Sequence, residues 1–395
     1  MTPRKNGQKL LVWASQIDQN TLTQAEQTAS LPFVHPHVAL MPDAHSGKGS
    51  AVGTVIPTRG AVIPAAVGVD IGCGMIAVRT QFTKADVDGN SRKLPELREA
   101  IEEAIPLSPG NYNSTDELNH YFARDKITEL EVRAEKDGVD LSHSPQWREQ
   151  LGSLGGGNHF IELCLDEEDR VWLFLHSGSR GVGNKIAQKH IKVAQQLCKT
   201  WHIDLPNQDL AYLPQGIPEF WEYIRELRWA QRFAHLNRAE MMDRFVNVFR
   251  RWIGPPVLEE ERINCHHNYT EQEQHFGSDV WLTRKGAVNA HPGVKAVIPG
   301  SMGTRSYVVV GRGSRPGLCS APHGAGRRFS RTDARKRFTE QDLADRMQGI
   351  EYRHGPEWID EIPDAYKDID VVMDDAADLV QITHELRQIL NVKGT

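Results

Sequence analysis

Five short strings, four of them rich in glycine, each present a metal-ligating or phosphate-handling side chain. Together they constrain this chain more than any other feature. They are VGVDIGCG with Asp70 and Cys73, GGGNHFIE with Asn158 and His159, LHSGSRG with His176, NCHHNY with His266 and His267, and HGAGR with His323. Glycine lets the backbone turn sharply and approach a ligand closely. One such side chain per turn is how a fold gathers distant residues around an ion or a phosphate. A fold that uses this set must bring residues 70 and 323 to one place.

The chain has 395 residues, enough to bury a large core, and length alone suggests two or three domains. A formal charge of −6 does not announce a nucleic-acid binder, so any such function must rest on a local patch. Five cysteines form no CxxC pair, and no stretch approaches a membrane span or the apolar core of a signal peptide. A reduced, cytoplasmic protein is expected.

Val/Ile-rich runs punctuated by Gly and Pro predict strands at VALMP (38–42), AVGTVIP (51–57), AVIPAAVGVD (61–70) and MIAVRTQF (75–82). Residues 94–105 predict a helix with Pro95 in its first turn. VWLFLH (171–176) predicts a buried strand that delivers His176 at its end. Residues 184–200 predict a helix, and 219–252 a longer one whose stripe of Phe220, Ile224, Leu227, Phe233, Met241, Phe245 and Phe249 reads as core. Strands return at 279–283 and 306–310, and a helix is expected near 374–390. The polar stretch 106–150 says little. Strands and helices mix without strict βαβ alternation. The expected fold class is therefore α+β, one compact catalytic unit over 1–395 with a helical insertion at about 184–255.

Asp70 and Cys73, three apart in a turn, can converge on one ion; taken alone they read as a turn Asp and a buried Cys. His159 and His176 are candidate neutral-imidazole ligands, though a lone histidine is more often structural. In the pair His266-His267, adjacent side chains on a strand face opposite ways, so one is expected at the site. Asp, Cys and three His form a set suited to Zn²⁺, Mn²⁺, Fe²⁺ or Co²⁺, and spacing does not choose among them. PGSMG (299–303) offers Ser301 to a ligand. Residues 305–337 hold nine Arg and Lys against the single acid Asp333. A charge run is usually a solvated face. Here His323 sits within it, and arginine binds phosphate through two N–H groups, which suggests phosphate chemistry.

In order along the chain, MPDAHSGKGS, PAAVGVDIGCGM, LGSLGGGNHFIE, LHSGSRGVGN, INCHHNY, TRKGAV, IPGSMG, HGAGR, EIPDAYKDID and VKG resemble the motifs of the RtcB family of GTP-dependent RNA ligases. The resemblance covers residues 31–105 and 151–394. It implies the family's distinctive α+β fold, two Mn²⁺ ions and GTP. Cys73 would bridge the ions, with Asp70 and His159 on one and His176 and His267 on the other. His323 matches the family's nucleophile, which becomes guanylylated. Asn158, Glu162, Asn268, Ser301, Tyr366 and Lys393 match positions that hold the guanylate, the last two near the base. Arg180, Lys285, Arg327 and Arg331 match basic residues that handle phosphate. Asp43 matches a residue associated with the 5′-OH end. The implied partner is RNA with a 3′-phosphate or 2′,3′-cyclic phosphate and a 5′-OH end. A monomer is expected, and an accessory activating protein is admitted. The sequence departs from the pattern at Ala321-Pro322, where small or hydroxyl residues are expected. Proline removes one N–H and stiffens the approach to His323.

Two other readings use the same residues. A metal-dependent phosphoesterase acting on RNA cyclic phosphates needs the metal ligands but not His323, Tyr366 or Lys393. A non-catalytic RNA-binding module needs only the basic face. HGAGR and VKG weigh against the first, and the intact ligand set against the second.

Overall fold

Two sheets lie face to face, and alternation along their strands decides what each face buries. The computed structural model describes residues 4–5, 9–118 and 121–394. The first sheet runs, in spatial order, Arg4–Lys5, Leu10–Val12, Val38–His45, Val52–Thr58, Ser278–Lys285 and Asn268–His275. Leu10–Val12 pairs with Val38–Leu40 in parallel, and the other neighbours are antiparallel. The second sheet runs Glu259–His266, Gly74–Thr83, Arg170–Ser177, Phe160–Leu165, Val380–Lys393, Ser306–Gly311 and Lys295–Ile298, antiparallel throughout.

Met75, Ala77, Phe160, Trp172 and Phe174 of the second sheet share one buried cluster with Ala39, Met41, Val55 and Leu282 of the first. Their neighbours Ile76, Val78, Ile161, Leu173 and Leu175 turn the other way. There they meet Leu97 and Ile101 of the helix Leu94–Ala104 and Met241, Phe245 and Phe249 of the helix Pro218–Ile253. The two-residue period of a strand lets both faces be buried. Each large side chain buried in this way contributes roughly 1.5–3 kcal/mol.

The helix Pro218–Ile253 is 36 residues long. Pro218 opens it, where a missing N–H costs nothing, and Gly254 at φ 104° closes it. Its predicted apolar stripe is buried, partly against Val182, Ile186 and Ala194 of the helix Arg180–Thr200.

Three local expectations need correction. Within the expected strand 61–70, Pro64–Val67 forms a short helical turn, with Pro64 at its start and Gly68 at φ 95° ending it. The helix expected from residue 184 begins at Arg180. The helix expected at 374–390 does not form there: a short helix, Ile369–Asp375, precedes the 14-residue strand Val380–Lys393. That strand is paired on both sides, so its backbone bonds go to neighbours rather than to itself. The uninformative stretch 106–150 contains the helix Tyr121–Asp137. Among the described residues no helix is long and apolar enough to cross a membrane. Most of the N-terminal segment read for a leader lies outside the described residues.

Candidate active site

Both sheets send chain ends to one place. Asp43 and His45 close the strand Val38–His45, Lys285 closes Ser278–Lys285, and His176 lies one residue from the end of Arg170–Ser177. Asn158 and His159 immediately precede Phe160–Leu165, and His323 follows the short strand Ser320–Pro322.

Cys73 Sγ lies 3.4 Å from His159 Nε2 and 3.2 Å from His176 Nε2. His159 Nε2 is 3.1 Å from Asp70 Oδ2, and His176 Nε2 is 2.9 Å from His267 Nε2. His159 Nδ1 donates to the Leu154 carbonyl at 2.9 Å, and His176 Nδ1 to the Asn158 carbonyl at 3.1 Å. A carbonyl can only accept, so both rings turn an Nε2 lone pair inward. Among the described residues His267 Nδ1 is buried without a partner. Burial, then the neighbouring histidines, push His176 and His267 well below the usual range, so both rings are neutral. Asp70 is held at about 2: burial pulls it up, but His159, Arg180 and the Ser179 N–H outweigh that. One thiol, one carboxylate and three imidazoles thus converge with too few protons to satisfy one another. This donor set fits a divalent transition ion.

The spacing of the set is fixed from behind. Arg238, fully buried on the long helix, donates to the carbonyls of Gly72 at 2.8 Å and Ser177 at 3.1 Å, and to Asn264 Oδ1 at 2.8 Å. Asn237 accepts from Gly152 N at 2.7 Å and donates to the Gly178 carbonyl at 3.1 Å. Two successive residues therefore tie the segments that carry Cys73, His159, His176 and His267. His266 turns away, its Nδ1 donating to the Gly72 carbonyl at 2.8 Å, as the alternation expects. Two glycines make room for these side chains. A Cβ at Gly178 would strike the Asp70 carboxylate, and one at Gly155, where φ is 88°, would strike the Arg180 guanidinium.

His323 sits beside this cluster, its ring centroid 4.6 Å from that of His267. Asp43 Oδ2 accepts from His323 Nδ1 at 2.6 Å and from the His323 backbone N–H at 3.0 Å. A ring that donates through Nδ1 offers Nε2 as a nucleophile. Pro322 pairs in register with Ala287, and the N–H that Asp43 holds belongs to His323 itself.

Two cavities meet here. One, of about 240 Å³, is lined by Glu162, Ser301, Arg327, Tyr366 and Lys393. The other, of about 290 Å³, is lined by Asp70, Cys73, His267, Asn268 and Lys285. His45, Asn158 and His323 line both. Five of the six residues expected around a guanylate thus surround the first cavity. Asn268 belongs to the second, where it donates to the Asp70 carbonyl at 3.2 Å and accepts from Gly286 N at 2.9 Å. Arg180 lines neither: it is packed on Gly155, its Nε donating to Ser153 Oγ at 3.3 Å. Lys285 Nζ is buried on the Ser50 carbonyl at 2.8 Å, and burial pushes it down to about 7.

Sequence reasoning missed Glu361. Its Oε2 accepts from Lys393 Nζ at 2.9 Å and from the Tyr366 hydroxyl at 2.8 Å, and Arg331 donates to its other oxygen. Burial raises it, yet Lys393, Arg331 and Arg327 together hold it at about 2. The basic patch is accordingly not free: Arg331 and Arg335 also reach the two oxygens of Asp360 at 2.6 and 3.0 Å. The acids at 360 and 361 lie outside the run that looked basic. Asn237, Arg238 and His45 were missed as well. The long helix carries many other charged residues, so nothing in its sequence marks Asn237 and Arg238 as the buried ones.

A family model described as "tRNA-splicing ligase RtcB" matches residues 24–394. The chain is 46% identical to "RNA-splicing ligase RtcB" of Escherichia coli K12, over 96% of this chain and 95% of that protein. It is 30% identical to "tRNA-splicing ligase RtcB" of Nanoarchaeum equitans (93% and 88% covered) and 29% identical to that of Pyrobaculum aerophilum (90% and 87%).

Proposed function

The chain belongs to the RtcB family of RNA ligases, and from that premise we propose that it joins an RNA 3′ end, carried as a 3′-phosphate or 2′,3′-cyclic phosphate, to a 5′-OH end with GTP and two Mn²⁺ ions. It is an RNA ligase; the end chemistry, the nucleotide and the metal are our reading. The observation that carries it is the Asp43–His323 pair, a buried carboxylate 2.6 Å from the imidazole of a histidine that lines both cavities.

In this reading His323 Nε2 attacks the α-phosphate of GTP, a P–N bond forms and pyrophosphate leaves. A 2′,3′-cyclic phosphate is first opened by water, which adds to phosphorus as the bond to the 2′ oxygen breaks; the RNA 3′-phosphate then takes GMP from His323, and the 5′-OH attacks the activated end and releases GMP. Asp43 holds the His323 ring and stabilises the charge it gains. Asn158, Glu162, Ser301, Tyr366 and Lys393 would seat the guanylate, with Asn268 reaching it from the wall of the second cavity. Arg180, Lys285, Arg327 and Arg331 would meet phosphates; Arg331 must exchange its carboxylate partners to do so. Cys73, Asp70, His159, His176 and His267 would hold the ions, which when bound neutralise charge on attacking and leaving oxygens. Most of the remaining catalysis is alignment.

The reading includes one catalytic unit with a helical insertion at 184–255, acting as a monomer in the cytoplasm. Free thiols on all five cysteines support a reducing compartment. Incubation with α-labelled GTP and Mn²⁺, followed by denaturing electrophoresis, tests it. An acid-labile, alkali-stable label on wild type and none on His323→Ala is expected. Equal labelling of both would remove His323 from its role. No label on either would favour the phosphoesterase reading.

A further inference from the structure

Asp43 positions two imidazoles, not one. Its carboxylate accepts a hydrogen bond from His323 Nδ1, and its backbone carbonyl accepts one from His45 Nδ1 at 3.0 Å. The acceptor is a carbonyl, so His45 must donate through Nδ1, which leaves its Nε2 as a lone pair. Among the described residues that Nε2 has no hydrogen-bond partner. His45 lines both cavities, at the junction where a nucleotide-activated end and an incoming RNA end would meet.

We propose that His45 Nε2 is the general base of the sealing step, taking the proton of the RNA 5′-OH as that oxygen attacks. The inference rests on the ligase reading above. The step balances as follows. The 5′ oxygen forms a bond to the phosphorus of the RNA 3′-phosphate, and the bond from that phosphorus to the bridging oxygen breaks. GMP leaves with the electron pair, and the 5′-OH proton passes to His45 Nε2 and then to solvent.

Other groups near the junction are less well placed. Asp43 lines neither cavity: its Oδ2 accepts from His323, and its Oδ1 is buried, without a partner among the described residues; Lys285 Nζ donates to backbone carbonyls. The Nε2 atoms of His159, His176 and His267 belong to the metal-ligand set. His45 is also in the right protonation state. Burial, against the bond to the Asp43 carbonyl and with help from His323, holds it at about 4, so the ring is neutral at neutral pH. The charged and titratable groups that bear on it are His323, Asp43 and Lys367. An anionic RNA phosphate bound beside it favours the imidazolium and so strengthens the base in the complex.

Single-turnover sealing separates this role from a structural one. An RNA carrying a preformed 3′-guanylylated end is mixed with a 5′-OH RNA and the full-length protein, as wild type, His45→Asn or His45→Ala. Asparagine Nδ2 can keep the bond to the Asp43 carbonyl but supplies no base at the Nε2 position. Both variants should still label His323 with GMP, while sealing falls about 100-fold or more. Added imidazole should restore sealing to His45→Ala, where the ring has left a space. Wild-type sealing by His45→Asn would overturn the inference. So would a parallel loss of labelling and sealing that imidazole does not rescue. Failure of wild type itself to label would instead overturn the ligase reading beneath it.

Discussion

Asp43 grips His323 through one oxygen at two points, the ring Nδ1 at 2.6 Å and the backbone N–H at 3.0 Å. The second bond locks the backbone that carries the ring, so the imidazole has little freedom to turn. Asp43→Asn keeps an acceptor but removes the charge that favours a cationic ring. Guanylylation of His323 should fall about 100-fold or more. Labelling rates with α-labelled GTP check this; a wild-type rate would mean that Asp43 only shapes the loop.

Removal and return of metal should be visible in stability without any substrate. The five ligands are gathered only in the folded chain, so Mn²⁺ binds the folded state far more tightly than the unfolded one. Mn²⁺ at a hundredfold excess over its Kd should add about 2.7 kcal/mol to unfolding. Calorimetry of chelator-treated protein, with and without Mn²⁺, measures it. Cys73→Ala should lose most of the shift; an unchanged shift would place the ion elsewhere.

Glu162 gives stability a pH dependence of defined sign. Burial pushes it up to about 8, against Asn391 and Lys393. Above the ordinary carboxyl value the unfolded chain releases this proton while the folded chain keeps it. The associated stability is therefore full in acid and drains away as pH rises towards about 8. Glu162→Gln cannot release a proton. Its melting temperature relative to wild type should climb steadily from weakly acid to weakly alkaline buffer. A constant difference across that range would contradict a buried, protonated Glu162.

Gly155→Ala should cost far more than Gly110→Ala. Both backbones have positive φ, 88° and 87°. Only at Gly155 would the new methyl strike a guanidinium, that of Arg180; at Gly110 nothing lies within 4 Å. Gly110→Ala should lose about 1 kcal/mol from backbone strain. Gly155→Ala should lose more and also displace Arg180, lowering guanylylation. Equal melting temperatures would show that the Arg180 side chain yields freely.

Much of the frame was legible because it rests on local pattern. The Val/Ile-rich run at 75–82 announced a strand, the continuous apolar run at 171–176 a buried one, and the stripe from Phe220 to Phe249 the long helix. The strand Val380–Lys393 was misread for a physical reason. Leu386, Ile389 and Leu390 fall at helical spacing because a register shift between Gln388 and Leu390 interrupts the two-residue period. At the site, the residues that would touch a ligand carry their chemistry in their type. The residues that place them do not. Glu361 matters as the counter-charge of Lys393 and Arg331, and Arg238 as a donor to two carbonyls. Those relations exist only once the chain has folded.

The Asn237–Arg238 tie has a consequence for the order of assembly. Asp70, Cys73, His159 and His176 all leave the ribosome before the two residues that set their spacing, and His267 leaves after them. An emerging chain thus exposes a thiol and several imidazoles with nothing to hold them apart. Such a flexible set takes whichever cation binds nitrogen and sulfur most tightly, which the ordinary affinity series makes copper or zinc rather than manganese. Only docking of the long helix imposes a fixed cage. The spacing of the ligands is for that reason a property of the docked helix and not of the segments that carry them.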